Sequence, residues 1–152
     1  MKNSVIRLTK EFRFEAAHAL WNYDGLCRNV HGHSYVLQVT IKGVAVTEEN
    51  NPKQGMVMDF SDLKKIVKEN IVLPFDHALI VNAHTPHKEL EYTHQMFGKV
   101  LAVPYQPTCE NMIVDFAARI KEKLPAHVQL HALRLYETSS SFAEWYADDQ
   151  QA

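Results

Sequence analysis

From His33 to Val46 the chain alternates for long enough to require an extended strand. Tyr35, Leu37, Val39 and Ile41 fall on one side, and Val36, Gln38, Thr40 and Lys42 on the other. Such a strand must bury at least its more apolar side. Val5 to Phe14 alternates in a similar way and continues through Glu15-Ala16-Ala17 to His18. Paired as a hairpin, the two would make a ribbon with one face to be covered.

The covering elements follow a turn-rich break at Glu49-Asn50-Asn51-Pro52-Lys53-Gln54-Gly55. Ser61 is placed to cap a helix with Leu63, Ile66, Val67 and Ile71 on one face, and Pro74 is expected to stop it. Phe75-Asp76-His77-Ala78-Leu79-Ile80 then passes from a loop into an extended piece. A short helix is expected around Lys88 to Phe97. Thr108 caps a second long helix whose stripe is Met112, Ile113, Phe116, Ala117, Ile120 and Leu124, and Pro125 ends it. Val128 to Thr138 and Phe142 to Tyr146 read as two more strands. The sequence order is thus ββααββ. The expected fold is α+β, a single domain over residues 1–152 with an antiparallel four-stranded sheet and two helices on one face. Its open edges invite pairing between copies, so a homo-oligomer is expected.

Bulk properties narrow the function. A chain of 152 residues with 46% hydrophobic content can bury a sizeable core. A formal net charge of −2 supplies no basic field for nucleic acid or anionic lipid. No window approaches the roughly 18 apolar residues of a membrane span, and the charged, alternating N-terminus does not read as a signal peptide. Two cysteines, Cys27 and Cys109, are too few for a disulfide framework and suit a reducing cytoplasm.

Chemistry concentrates in Cys27-Arg28-Asn29-Val30-His31-Gly32-His33. On a strand, positions i and i+2 share a side, about 6.5–7 Å apart at Cα, so His31 and His33 can aim at one point. His18, at the end of the preceding strand, is the best third donor. Three imidazoles with one open position suit catalytic zinc. Cys27 reads in two ways: a fourth ligand closing a structural zinc site, or a base beside an open metal position, taking a proton from a carbon acid. Cys-x3-His-x-His is not a common structural-zinc spacing. Asp76-His77 offers a carboxylate that can hold an imidazole tautomer, or two unrelated surface groups. Glu137, in Tyr136-Glu137-Thr138, is either a strand-end carboxylate or part of the site. Glu110 follows the Thr108 cap, where an acid favours the helix dipole and could also receive an aminopyrimidine. Cys109 is expected to pack, and His84, His87, His94, His127 and His131 to lie at the surface.

With these pieces in order, the chain resembles the 6-pyruvoyl-tetrahydropterin synthase family. The matches are FRFEAAH (12–18), CRNVHGH (27–33), MVMDFSDLK (56–64), FDHALIVN (75–82), PTCEN (107–111) and LYET (135–138). The Cys-x3-His-Gly-His spacing is similar to the bacterial 6-carboxy-5,6,7,8-tetrahydropterin synthase branch. The resemblance implies a tunnelling fold in a barrel-forming oligomer, typically a hexamer, with active sites between subunits. It implies Zn2+ on His18, His31 and His33, and Cys27 as the proton acceptor. It further implies a proton relay of Glu137 and of His77 oriented by Asp76, with Glu110 and Thr108 anchoring a pterin ring. The implied substrate is 7,8-dihydroneopterin triphosphate. Its products would be 6-carboxy-5,6,7,8-tetrahydropterin, acetaldehyde and triphosphate, on the route to queuosine. Pyruvoyl formation, aldolase-like cleavage of dihydroneopterin and a non-catalytic pterin-binding module are the competing readings. One departure is the stretch between Asn82 and Pro107, longer than in the short bacterial members.

Overall fold

A computed structural model describes residues 3–150. Two 14-residue strands, β1 (Val5–His18) and β2 (His31–Val44), pair antiparallel without a slip, from Val5 opposite Val44 to His18 opposite His31. Helix α1 (Phe60–Val67) continues through a widened π turn (Lys68–Val72) into the short α2 (Leu73–Phe75). Strands β3 (Ala78–Asn82) and β4 (Val100–Val103) precede the long helix α3 (Cys109–Lys123), and β5 (Gln129–Thr138) and β6 (Ser141–Tyr146) close the sheet.

The sheet is six-stranded and mixed, in the order β4-β3-β1-β2-β5-β6, which corrects the expected four-stranded antiparallel arrangement. β3 runs parallel to β1 through Ala16–His18, and β4 runs parallel to β3. In β3 Ala78, Leu79, Ile80 and Val81 are all buried, so no alternation advertises the strand. Parallel pairing needs crossovers: the α1–α2 segment brings the chain back to β3, and residues 83–99, with two 3-10 turns, carry it on to β4.

Alternation places Phe12, Phe14 and Ala16 of β1 on the same side as Tyr35, Leu37, Val39 and Ile41 of β2, facing Leu63, Val67, Ile71, Met112, Phe116 and Ile120 of the helices. At its centre Phe14 stacks on Tyr35 at 5.0 Å, and Phe75 meets Phe116 edge-on at 4.9 Å. Burying one such ring contributes about 1.5–3 kcal/mol before entropy is counted. Along β1 the other side of the sheet is polar and open, with Glu11, Arg13 and Glu15 exposed and Thr9 bonded to Thr40 at 2.8 Å.

Local details also differ from expectation. Asp59, not Ser61, caps α1: its Oδ1 accepts from the Ser61 N–H at 2.8 Å and the Ser61 hydroxyl at 2.7 Å. Pro74 does not stop the helix, because the π turn shifts the hydrogen-bond frame and the chain stays helical to Phe75. Thr108 caps α3 as expected. Lys88 to Phe97 is not a helix; the stretch holds two 3-10 turns, Pro86–Leu90 and Gln95–Phe97. His131 is buried rather than exposed, at the bulge where β5 shifts register against β2. No helix of the described residues is long and apolar enough to cross a membrane.

Candidate active site

The β1–β2 hairpin carries the central group. His18 is the last residue of β1 and His31 the first of β2, and they are direct cross-strand partners. His33 lies two positions on, so all three rings come off the core-side face. Gly32 between them pairs with Ala17, and a Cβ there would lie 3.2 Å from the Ala16 carbonyl oxygen, so the tight approach of the strands favours glycine.

One donor nitrogen from each of His18, His31 and His33 lies within 4.8 Å of the others, and Cys27 is not among them. The tautomers are constrained. His18 Nδ1–H donates to the Pro107 carbonyl at 2.7 Å, and His31 Nδ1–H to the Asn29 carbonyl at 2.7 Å. Both Nε2 atoms therefore present lone pairs when the rings are neutral, and they face each other at 3.0 Å. Two lone pairs at that separation are relieved by a shared proton or by a metal ion between them. Ligands at about 2.0–2.1 Å from a tetrahedral zinc sit about 3.3 Å apart, which this spacing approaches. His33 Nε2 is buried without a hydrogen-bond partner; Glu137 Oε1 is 3.5 Å away. Burial holds the His18 and His33 pKa values below the usual imidazole range, keeping both rings in the ligand form. The donor set and its carbonyl supports fit a metal ion.

Two hollows flank this triad. One, of about 300 Å³, is lined by His18, Tyr23, Cys27, Thr108, Glu110 and Glu137. Cys27 sits on a 3-10 turn, Leu26–Arg28, within the loop joining β1 to β2. Cys109 lies half-buried in the same wall, donating to the Leu135 carbonyl at 3.4 Å. Burial pushes its pKa up to about 11, so it remains a thiol.

The second hollow, of about 460 Å³, has His33, His77, Ser34 and Lys99 in its wall. Here Asp76 and His77 follow α2. Asp76 Oδ1 accepts from the Glu15 N–H at 2.9 Å, and His77 N–H donates to the Glu15 carbonyl at 2.6 Å. Asp76 Oδ2 lies 3.0 Å from His77 Nδ1. The Glu15 N–H, with help from His77 and Lys99, holds the Asp76 pKa below the usual carboxylate range. His77 has φ +58, a left-handed backbone rare outside glycine. The turn is braced by Lys99, whose ammonium donates to the Leu73 and Asp76 carbonyls at 2.7 and 2.6 Å. Within one chain, then, the Asp76–His77 pair and the Cys27–Glu137 group open onto different hollows, with the imidazole triad between them.

Sequence reasoning passed over Tyr23, Tyr35 and Lys99. Tyr35 packs 5.5 Å from His33 with its hydroxyl buried and unpartnered, and burial pushes its pKa well above the usual phenol range. The i+2 spacing from His33 could have flagged it.

A family model described as 6-pyruvoyl tetrahydropterin synthase matches residues 7–148. The chain belongs to this family. Among curated members, a 6-carboxy-5,6,7,8-tetrahydropterin synthase from Haemophilus influenzae is 38% identical, covering 93% of this chain and 99% of the relative. One of the same description from Aquifex aeolicus is 31% identical over 91% of this chain and 96% of the relative. The human 6-pyruvoyl tetrahydrobiopterin synthase is 30% identical over 89% and 87%. Among solved structures of tetrahydropterin synthases, that from Caenorhabditis elegans matches with a TM-score of 0.67, at 23% identity over 97% of this chain and 99% of that one. An uncharacterised Wolinella succinogenes protein matches with a TM-score of 0.71 at 19% identity over 95% and 99%. These two likenesses concern the fold.

Proposed function

We propose that this member of the family is a zinc-dependent carbon–carbon lyase, a 6-carboxy-5,6,7,8-tetrahydropterin synthase acting in the cytoplasm on the route to queuosine. Its substrate is 7,8-dihydroneopterin triphosphate, and acetaldehyde and triphosphate leave as the 6-carboxy product forms. The observation that carries the reading is the opposed pair of Nε2 lone pairs of His18 and His31, with Cys27 outside the ligand set. Relatives described as this synthase, at 31–38% identity over most of the chain, favour the carboxy outcome.

His18, His31 and His33 would hold the ion, which when bound supplies Lewis-acid polarisation of the substrate's side-chain hydroxyls. The remaining work belongs to the protein. Thr108, the cap of α3, and Glu110 on its first turn line the Cys27 hollow and anchor the pterin through its amino and ring N–H groups. Cys27, as thiolate, takes a proton from the side-chain carbon. His77, its ring held by Asp76, and Glu137 move protons to carbon or oxygen. Because the His77 hollow and the Cys27 hollow are separate within one chain, the complete relay is drawn from two copies of a homo-oligomer, a hexamer. Among the described residues β4 and β6 are the outer strands of the sheet, and such edges suit pairing between copies.

The test couples metal analysis with mass-spectrometric identification of products from 7,8-dihydroneopterin triphosphate. Acetaldehyde with a 6-carboxy product supports the reading. A pyruvoyl product assigns the chain to triphosphate elimination, and cleavage of dihydroneopterin itself to aldolase-like chemistry. Pterin binding without turnover would leave a binding module.

A further inference from the structure

The loop from Ala19 to Val30 carries the thiol, yet its own hydrogen bonds are few. Leu20 N–H donates to the Cys27 carbonyl at 3.0 Å, Arg28 N–H to Gly25 at 3.3 Å and Asn29 N–H to Leu26 at 3.0 Å. All are internal to the loop. Among the described residues, the only hydrogen bonds from residues 20–28 to the rest of the chain go to one side chain, Gln106. Its Nε2 donates to the Trp21 carbonyl at 2.9 Å, and its Oε1 accepts from the Trp21 N–H at 3.3 Å. One amide thus satisfies both main-chain groups of a residue 85 positions away, as a neighbouring strand would.

Gln106 is itself anchored. Its carbonyl accepts from the Thr108 N–H at 2.8 Å and the Asn111 side-chain amide at 3.0 Å, fixing it to the start of α3. The next carbonyl, of Pro107, holds His18 Nδ1. Residues 106, 107 and 108 therefore grip, in order, the thiol loop, a metal-ligating imidazole and the helix end beside Glu110. The Trp21 ring adds an edge contact with His87 at 5.0 Å.

We propose that Gln106 is a positioning residue that clamps the Cys27 loop to the N-terminus of α3, fixing the thiol relative to the triad and the pterin anchor. The proposal rests on the reading of Cys27 as the proton acceptor. A glutamine suits the task because its side-chain amide offers a donor and an acceptor side by side in one plane, without titrating.

The near-isosteric Gln106→Met variant of the full, metal-loaded enzyme tests it, with Gln106→Glu, which keeps only the acceptor, as a second variant should the first fail to fold. Hydrogen exchange in the peptide spanning residues 19–28 should quicken. Cys27 should be alkylated several-fold faster by iodoacetamide, with Cys109 unchanged as an internal reference. The kcat should fall about tenfold while KM stays within about twofold, since an already bound substrate meets a misplaced base. Unchanged loop exchange and alkylation would overturn the clamp, whatever the activity; a loosened loop with unchanged kcat would overturn its positioning role. Full activity in Cys27→Ala would overturn the reading of Cys27 instead, and the exchange data would still decide the clamp.

Discussion

His18 and His31 meet on the last rung of the β1–β2 ladder with their Nε2 atoms 3.0 Å apart, and each ring is turned there by a carbonyl on its other nitrogen. Neutral rings so arranged repel unless a shared proton or a metal ion joins them. Replacing His31 or His33 by Ala should therefore abolish stoichiometric zinc in the purified protein, whereas Cys27→Ala should retain it, as read by elemental mass spectrometry. Equal loss in all three would make the sulfur a ligand. Stripping the wild type with a chelator should lower its Tm, since an ion bound only by the folded chain stabilises it by mass action.

Acid should weaken the turn that carries His77. The Asp76 carboxylate is stabilised in the fold, first by the Glu15 N–H, so its folded pKa lies below its ordinary 3.8. A depressed carboxylate contributes stability above its unfolded pKa and loses it as pH falls through the folded one. The Tm gap between wild type and Asp76→Asn should be constant from pH 6 to 8, at about 1 kcal/mol or less of stability for so exposed a group, and should narrow on acidification below about pH 4. A gap that widens in acid would contradict the assignment.

Lys99 closes the same turn from the other side. Lys99→Met should lower kcat by roughly threefold to tenfold by letting the His77 backbone relax from its left-handed conformation. In a His77→Ala background the same change should cost almost nothing further, because the residue it positions is gone. Additive losses in the double variant would show that Lys99 acts elsewhere.

The aromatic centre predicts the largest stability effect. Phe14 touches Tyr35, Phe75 and Phe116, with ring centroids 5.0 to 6.3 Å away, and is almost wholly buried. Phe14→Ala should cost about 3–5 kcal/mol in urea unfolding. A loss under 1 kcal/mol would mean that the sheet and helices do not pack as described.

Much of this architecture is legible in the sequence, for local reasons. Tyr35, Leu37, Val39 and Ile41 declare β2 because one face is fully buried and the other only half-covered. The spacing of His31 and His33, with His18 ending the partner strand, brings the triad into view because strand geometry is nearly rigid. Thr108 declares α3 because the cap is made within four residues. What stayed hidden depends on partners distant in sequence. β3 is legible only as an extended piece after Phe75, because it is buried on both faces and lacks a period that would assign it to the sheet, and β4 is a four-residue edge strand defined by its pairing alone. Asp59 and Ser61 both suit a cap, and only the fold chooses between them. Pro74 breaks helices in general, but not where a π turn has already shifted the frame. Gln106 looks like an ordinary polar residue until Trp21 is brought beside it.

The donor histidines ride on the same strand parity as the aromatic centre: His31 and His33 with Tyr35, His18 with Phe14. Sliding β2 by a single position would throw Tyr35, Leu37 and Ile41 into water and swing both imidazoles to the far side with them. A misregistered hairpin is thus penalised by lost hydrophobic burial before any ion arrives. The greasy interior in effect proofreads the geometry of the polar centre, so correctly folded chains emerge with their donors already aimed.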